Sequence, residues 1–218
     1  MRKRSDELHP TSETTNLEPN PSPRHQPSRL KKILREIVWF AGLAVVVAIL
    51  HNFVFQAFYV SGSSMEPDFH DGDYLIISKL PVTYHNAISP SDNLNIKRGA
   101  VLVFRSPQNK KIFFVKRVVG LPGERVVIND GKVRIYNQEN PKGFELKEDY
   151  IDQTQNTLGN VDEVVEDGKL FVLGDNRSLN GSYDSREWGQ LPQDNIIGIA
   201  TLKIIPLNQI GPIQNPSY

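Results

Sequence analysis

The chain has 218 residues, with 25 basic and 25 acidic side chains and no cysteine. That length accommodates one domain of ordinary size with at most a small appendage. A formal net charge of zero gives no electrostatic footprint for a nucleic acid. The lack of cysteine excludes disulfides, thiol catalysis and zinc–thiolate sites.

Residues 1–28 are rich in Pro, Ser, Thr, Asn and Glu and have almost no large apolar side chains. They bury too little to offset ordering entropy, so a disordered tail is expected. Its mixture of Asp, Glu and Arg matches no clean transit peptide. Arg29, Lys31, Lys32 and Arg35 then form a basic flank. Ile37–Leu50 contains no polar side chain, and after His51 and Asn52 the apolar run resumes as Phe53–Val60. Residues 37–60 number 24, against the ~20 that cross a bilayer as a helix. A core helix would show a polar face, and Ile37–Leu50 shows none. His51 and Gln56 suit the interface, with Phe58 and Tyr59 as an aromatic belt. A cleaved signal peptide has the same basic-then-apolar order. This run is long, however, lies far from residue 1, and has no small-x-small site before Val60. A retained single-pass anchor over 29–60 is therefore expected. The basic flank on one side, and Glu66, Asp68, Asp71 and Asp73 on the other, put the tail in the cytoplasm and residues 61–218 on the far side.

The remainder reads as short β-strands. Tyr74–Leu80, Gly99–Phe104, Lys111–Val119, Lys169–Leu173 and Ile196–Ile205 are apolar runs bounded by Gly, Pro or Asp-Gly turns. Arg125–Tyr136 is the clearest hairpin, with Val126 and Ile128 across from Val133 and Ile135 and Asp130-Gly131 at the tip. Residues 137–163 are polar and read as an irregular loop or cap, and Pro206 opens a short tail. No segment after residue 61 shows a helical period. The fold class is mainly β, a barrel or packed sheets of short antiparallel strands behind one transmembrane helix.

The stretch Ser61-Gly-Ser-Ser-Met-Glu-Pro67 follows the apolar run directly. Small residues in sequence hold a tight exposed loop and present hydroxyls. A serine nucleophile needs a base, because its hydroxyl is scarcely ionised at neutral pH. After residue 61 the only histidines are His70, in an acidic turn, and His85, in a polar stretch. His85 has nothing around it to orient an imidazole, while His70 lies six residues from Ser64, and spacing alone leaves a Ser-His-Asp triad open because triads assemble in space. Lys116 interrupts an apolar strand and by parity shares a face with Phe114 and Val118. Such an environment disfavours its charge and frees an amine to act as base. Its neighbour Arg117 is expected on the opposite face, reaching solvent. An ordinary edge-strand lysine fits the Lys116 pattern equally well. A third block, Gly174 to Gly189, is dense in hydroxyls, amides and charge, and suits either a polar loop or the support of a base. Asp68, Asp71 and Asp73 read as a solvated turn feeding a strand rather than as a metal site, and no cofactor is indicated.

Four blocks occur in order behind one apolar helix: Ser61-Gly-x-Ser-Met-x-Pro67, Arg98-Gly-x-Val-x-Val-Phe104, Lys116-Arg-Val-Val-Gly-Leu-Pro-Gly123, and Gly174-Asp-Asn-Arg177 with Asp184-Ser-Arg186. This combination resembles bacterial type I signal peptidase, the membrane-bound Ser/Lys leader peptidases of peptidase family S26. The resemblance runs from the anchor to about residue 200. Residues 1–28 and 137–163 lie outside it.

The resemblance implies a β catalytic domain over 61–206, with an inserted β segment at about 125–170 and a tail over 207–218. It implies Ser64 as nucleophile, Lys116 as general base, and Met65 as the residue that helps seat Ser64. Ser182 would hold the lysine amine, and Asp184 and Arg186 would form a structural ion pair. Gly62 stands where some members carry a serine that completes the oxyanion hole, which would leave the hole to backbone N–H groups, chiefly that of Ser64. Ser178–Tyr183 is longer than the usual segment, and Ala100 replaces a frequent aspartate.

The implied activity is removal of signal peptides from exported preproteins after small-x-small sites such as Ala-x-Ala, by acyl transfer. Val60 and Val115 flank the dyad in sequence and would line a shallow pocket. The implied partners are preproteins leaving the export translocon and the lipid bilayer, with no nucleic acid and a monomeric enzyme. The implied location is the plasma membrane, or the thylakoid membrane where a cell has one. Two other readings are a specialised or self-cleaving Ser/Lys maturation peptidase, which would leave a generic Ala-x-Ala preprotein uncut, and a non-catalytic tethered domain, which would bind preproteins without cutting them.

Overall fold

The computed structural model of the chain describes residues 29–89, 92–152, 154–216 and 218. The expected tail, 1–28, lies outside them. Helix α1, Arg29–Ile49, has no buried residue. At 1.5 Å per residue it is about 30 Å long, the thickness of a bilayer's hydrocarbon core. A π turn, Leu50–Val54, follows.

The helix does not continue to Val60 as the apolar run implied. Phe55–Tyr59 forms strand β1, antiparallel to β2, Tyr74–Ser78, with Phe55 opposite Ser78 and Tyr59 opposite Tyr74. Asn52 Nδ2 donates to Ala48 O at 2.8 Å, and beyond it the aromatic-rich sequence alternates between exposed and half-buried positions. Period-two exposure with aromatic side chains favours a strand over another helical turn.

A second difference is helix α2, Leu80–Ile88, with Pro81 near its start, where proline's fixed φ suits the first turn. Its apolar positions Leu80, Tyr84 and Ile88 are exposed. No inward stripe of core residues announced it.

The main sheet comprises β1 and β2 with β3 (Val101–Arg105), β4 (Phe113–Gly120), β9 (Lys169–Leu173), β10 (Leu191–Pro192), β11 (Ile196–Ile205) and β12 (Gly211–Pro212). Its order is β1-β2-β11-β3-β4-β9-β10, with β12 on β11. Strand β3 is covered on both faces. Val101 and Val103 pack with Val60, Met65, Leu75 and Ile77, while Leu102 and Phe104 pack with Val118, Leu170, Val172 and Ile196. Double coverage explains its unbroken apolar run. The segment after Pro206 is no free tail, since β12 pairs Gly211 with Lys203 and Pro212 with Leu202.

The second sheet has the order β7-β6-β5-β8, from β5 (Arg125–Asn129), β6 (Lys132–Tyr136), β7 (Phe144–Glu145) and β8 (Val161–Val164). The β5–β6 hairpin has the expected register, Val126 opposite Ile135 and Ile128 opposite Val133. Asp130 and Gly131 both have positive φ, 52° and 79°, as a two-residue type I′ turn requires. The stretch 137–163, read as irregular, contributes β7 and part of β8.

Arg117 is corrected. It does lie opposite Lys116, but that face is interior, and the side chain is fully buried. Its Nε and Nη2 donate to Asp175 Oδ1 and Oδ2 at 2.8 and 2.6 Å, Nη2 also donates to Asp68 Oδ2 at 2.7 Å, and Nη1 donates to Gly99 O. The guanidinium lies 4.1 Å from the Tyr150 ring centroid. A buried cation with two carboxylates joins the Ser61–Asp73 loop, β4 and the chain after β9. Arg117→Met strands the fully buried Asp175. It is expected to destabilise the fold by about 3–5 kcal/mol, read from the denaturant midpoint of the detergent-solubilised chain, and Arg117→Met with Asp175→Leu is expected to recover part of that loss.

Candidate active site

The Ser61–Asp73 connection is fixed at both ends before any side chain acts. Val60 N donates to Asp73 O at 2.8 Å and Gly72 N to Val60 O at 3.0 Å. Gly62 has φ of 94°, which L side chains rarely adopt, and its N–H donates to Asp71 Oδ1 at 2.7 Å. Met65, 1% exposed, and Phe69 anchor the connection in the cluster that contains Val60, Leu75, Val101 and Val103. Ser64 is half-buried beside that anchor. Among the described residues no acceptor takes its N–H, so that donor stays available.

Lys116 reaches the same point from β4. It is 2% exposed. Its Nζ lies 2.6 Å from Ser64 Oγ and 2.9 Å from Val115 O, and 5.5 Å from the Phe114 ring centroid. Burial pushes the ammonium down from the ordinary lysine value to about 8; the carboxylates of Asp184 and Asp175 oppose the shift, and Arg186 adds to it. A lysine at about 8 is half neutral at that pH, some hundredfold more than an ordinary lysine. In the neutral form its lone pair accepts from the Ser64 hydroxyl at the observed distance. Neither His70 nor His85 hydrogen-bonds Ser64 among the described residues: His70 lies in the exposed turn and His85 in α2.

The chain after β9 closes the other side. A Cβ at Gly174 would lie 2.2 Å from Ser182 Oγ and 2.3 Å from Ser64 O, so only glycine lets the two segments meet. Gly174 N donates to Asp184 Oδ2 at 3.0 Å, and Arg186 grips Asp184 through two bonds of 2.8 Å. Burial raises the Asp184 carboxyl, but the Arg186 guanidinium together with hydrogen bonds such as that from Gly174 N outweighs it and keeps the group below the usual carboxylate range. Asp184 also accepts from Arg186 N and caps the short helix α3, Ser185–Trp188. Ser182 is buried, yet its hydroxyl makes no hydrogen bond to Lys116, whose amine is held by Ser64 and Val115 instead. Val60 is buried and Val115 half-buried, and both pack in the cluster that seats Met65.

Sequence reasoning gave no individual role to Asn176, Asp175 or Arg177. Asn176 N donates to Ser64 O at 3.2 Å and its Nδ2 to Ser63 O at 3.1 Å, while its Oδ1 accepts from Ser178. Asn176 thus holds the backbone of both serines. Arg177 is fully buried and donates to Glu148, Thr157 and Gly174 O, tying the second-sheet region to the glycine that abuts Ser64. The only signal for these roles was the density of polar groups in one block. The acidic turn is also more than solvated: Asp68 pairs with Arg117, Asp71 with Gly62 N, and Asp73 with Lys203. Among the described residues no group of three His, Cys, Asp or Glu side chains is placed to share a metal ion.

Residues 33–205 match the family described as signal peptidase, peptidase S26. The chain is 36% identical to signal peptidase I of Leptolyngbya laminosa over 96% of its own length and 97% of that protein's. It is 33% identical to signal peptidase I T of Bacillus subtilis, covering 83% of this chain and 91% of the other. A crystal structure of a signal peptidase I from Enterococcus faecalis aligns with 30% identity and a TM-score of 0.40, over 50% of this chain and 98% of that one. With the family matched along most of its length, the chain belongs to the signal peptidases of family S26.

Proposed function

We propose that Ser64 and Lys116 carry out the peptide-bond cleavage that this signal peptidase performs on exported preproteins. The observation that supports the assignment is the 2.6 Å contact between Lys116 Nζ and Ser64 Oγ at a lysine whose burial lowers its pKa. Neutral Lys116 takes the hydroxyl proton as Ser64 Oγ attacks the scissile carbonyl. The Ser64 N–H donates to the developing oxyanion, with no side chain at Gly62 to assist. The lysine then passes its proton to the leaving amine, and a water deprotonated by Lys116 releases the acyl-enzyme.

The substrate strand has a place to lie. Phe113–Arg117 pairs with β3 on one side, whereas pairing with β9 begins only at Arg117. Among the described residues the Phe113–Lys116 edge therefore has no neighbouring strand, and an extended chain can add to it with alternate side chains on one face. A shallow site beside Val60 and Val115, wide enough only for small side chains, would account for cleavage after Ala-x-Ala. The basic flank at Arg29–Arg35 supports an N-terminus in the cytoplasm and a β domain on the outer side of the plasma membrane, or of the thylakoid membrane where one exists. Ser64 follows Val54 by ten residues, which keeps the nucleophile near the point where a signal peptide's apolar segment ends.

The test is cleavage of an Ala-x-Ala preprotein by the detergent-solubilised chain, with N-terminal sequencing of the product. Ser64→Ala and Lys116→Met are each expected to lower kcat by about 10³-fold or more with unchanged circular dichroism, and substantial processing by either variant removes the assignment. Because the active form is the neutral amine, kcat is expected to rise about tenfold per pH unit well below the lysine pKa and level off above about 8. A profile still climbing into the ordinary lysine range would contradict a buried base. Asn176→Ala leaves the Ser63 carbonyl without its side-chain donor and is expected to lower kcat by about 10–100-fold with little change in KM.

A further inference from the structure

We propose that helix α2 is a second membrane contact of this chain, lying in the bilayer interface with Leu80, Tyr84 and Ile88 in lipid. Its amphipathicity is inverted. Val82 packs inward against the cluster that contains Leu102 and Phe104, and Thr83 Oγ1 donates to Phe53 O at 3.2 Å. Leu80, Tyr84 and Ile88, spaced four apart and so on one helix face, are 49%, 64% and 62% exposed. Ala87, which completes the stripe, is also exposed. A water-facing surface helix places its apolar residues the other way round.

The position of α2 says what covers this face. Lys79 N, at the start of α2, donates to Val54 O at 2.8 Å, and Val54 is the last residue of the apolar span Arg29–Val54. The helix therefore packs against the turn at which that span ends. Phe53 and Phe55 on the adjoining segment are exposed as well, so apolar surface is continuous in sequence from the span to β1. Lipid at that level is already in place, with no partner to recruit. A tyrosine flanked by Leu and Ile, with Lys79 and Thr83 bonded to Gln56 Oε1 and Phe53 O and a polar Asn86 exposed beside them, suits the boundary between headgroups and acyl chains. Lying flat there, α2 would give the β domain a second point of attachment to the bilayer besides the span.

The inference rests on α1 spanning the membrane, and the experiment separates the two. The chain has no cysteine, so single spin labels can be placed in the full-length protein by Leu80→Cys, Tyr84→Cys or Ile88→Cys. Val46→Cys, in α1, serves as lipid reference, and Lys147→Cys, an exposed residue of the second-sheet region, as aqueous reference. Each is reconstituted into phosphatidylcholine–phosphatidylglycerol vesicles, and collision with oxygen is compared with collision with a water-soluble nickel chelate. Labels at 80, 84 and 88 are expected to favour oxygen, at a depth of about 5–10 Å into the interface, with Lys147→Cys favouring nickel. Nickel access at 84 and 88 while Val46→Cys reads as lipid overturns the inference and leaves the anchor standing. Exclusion of both reagents at 84 and 88 overturns it in favour of a protein surface, such as a second copy. An aqueous Val46→Cys overturns the anchor, and the inference with it.

Discussion

The structure depends on keeping one ammonium group out of water. Lowering Lys116 from its ordinary value to about 8 corresponds to about 3 kcal/mol against its charged form. At neutral pH, below both values, the fold carries that cost almost in full. The surrounding features serve this end. The Phe114 ring centroid lies 5.5 Å from the amine, Gly174 allows the chain after β9 to close within contact of Ser64 O, and Asn176 fixes the serine backbone against which the amine rests.

Two adjacent cations on β4 receive opposite treatment. Arg117 is buried with two carboxylates and a tyrosine ring, so its charge is fully compensated. Lys116 is buried with a hydroxyl and a carbonyl and no carboxylate in contact. Asp184, which would raise the lysine, is instead held by Arg186, and Asp175 by Arg117. Carboxylates close enough to stabilise an ammonium are thus occupied by guanidiniums. Charge compensation beside Lys116 holds the structure together without placing a carboxylate in contact with its amine.

Much of this was legible in the sequence where a pattern is local. The Asp130-Gly131 hairpin follows from turn chemistry and alternation, and the mainly β fold from short runs between breakers. Ser64 and Lys116 stood out as a hydroxyl in a loop of small residues and a cation in an apolar strand, although residues alone left an edge-strand lysine open until the four blocks were read together. What failed was what the environment decides. Parity put Arg117 on the right face, but nothing local said that face was interior. Hydropathy joined α1 to β1 because aromatic strand residues score like membrane residues. Helix α2 was missed because its stripe faces outward, and Asn176 because an amide that binds a distant backbone has no periodic signature. Ser182, assigned by resemblance to hold the amine, is buried nearby without bonding it.

The proposed function joins a membrane anchor to a lysine base: the first would hold the site near the end of a signal peptide, and the second would let a serine act without a histidine. The direct test is the ionisation of Lys116 itself. In full-length protein carrying 13Cε-lysine, with the resonance assigned by its loss in Lys116→Met, the carbon shift can be followed from about pH 5 to pH 11, a range that brackets both values. A midpoint near about 8 is predicted. A midpoint in the ordinary lysine range, about 10.4, would contradict the account.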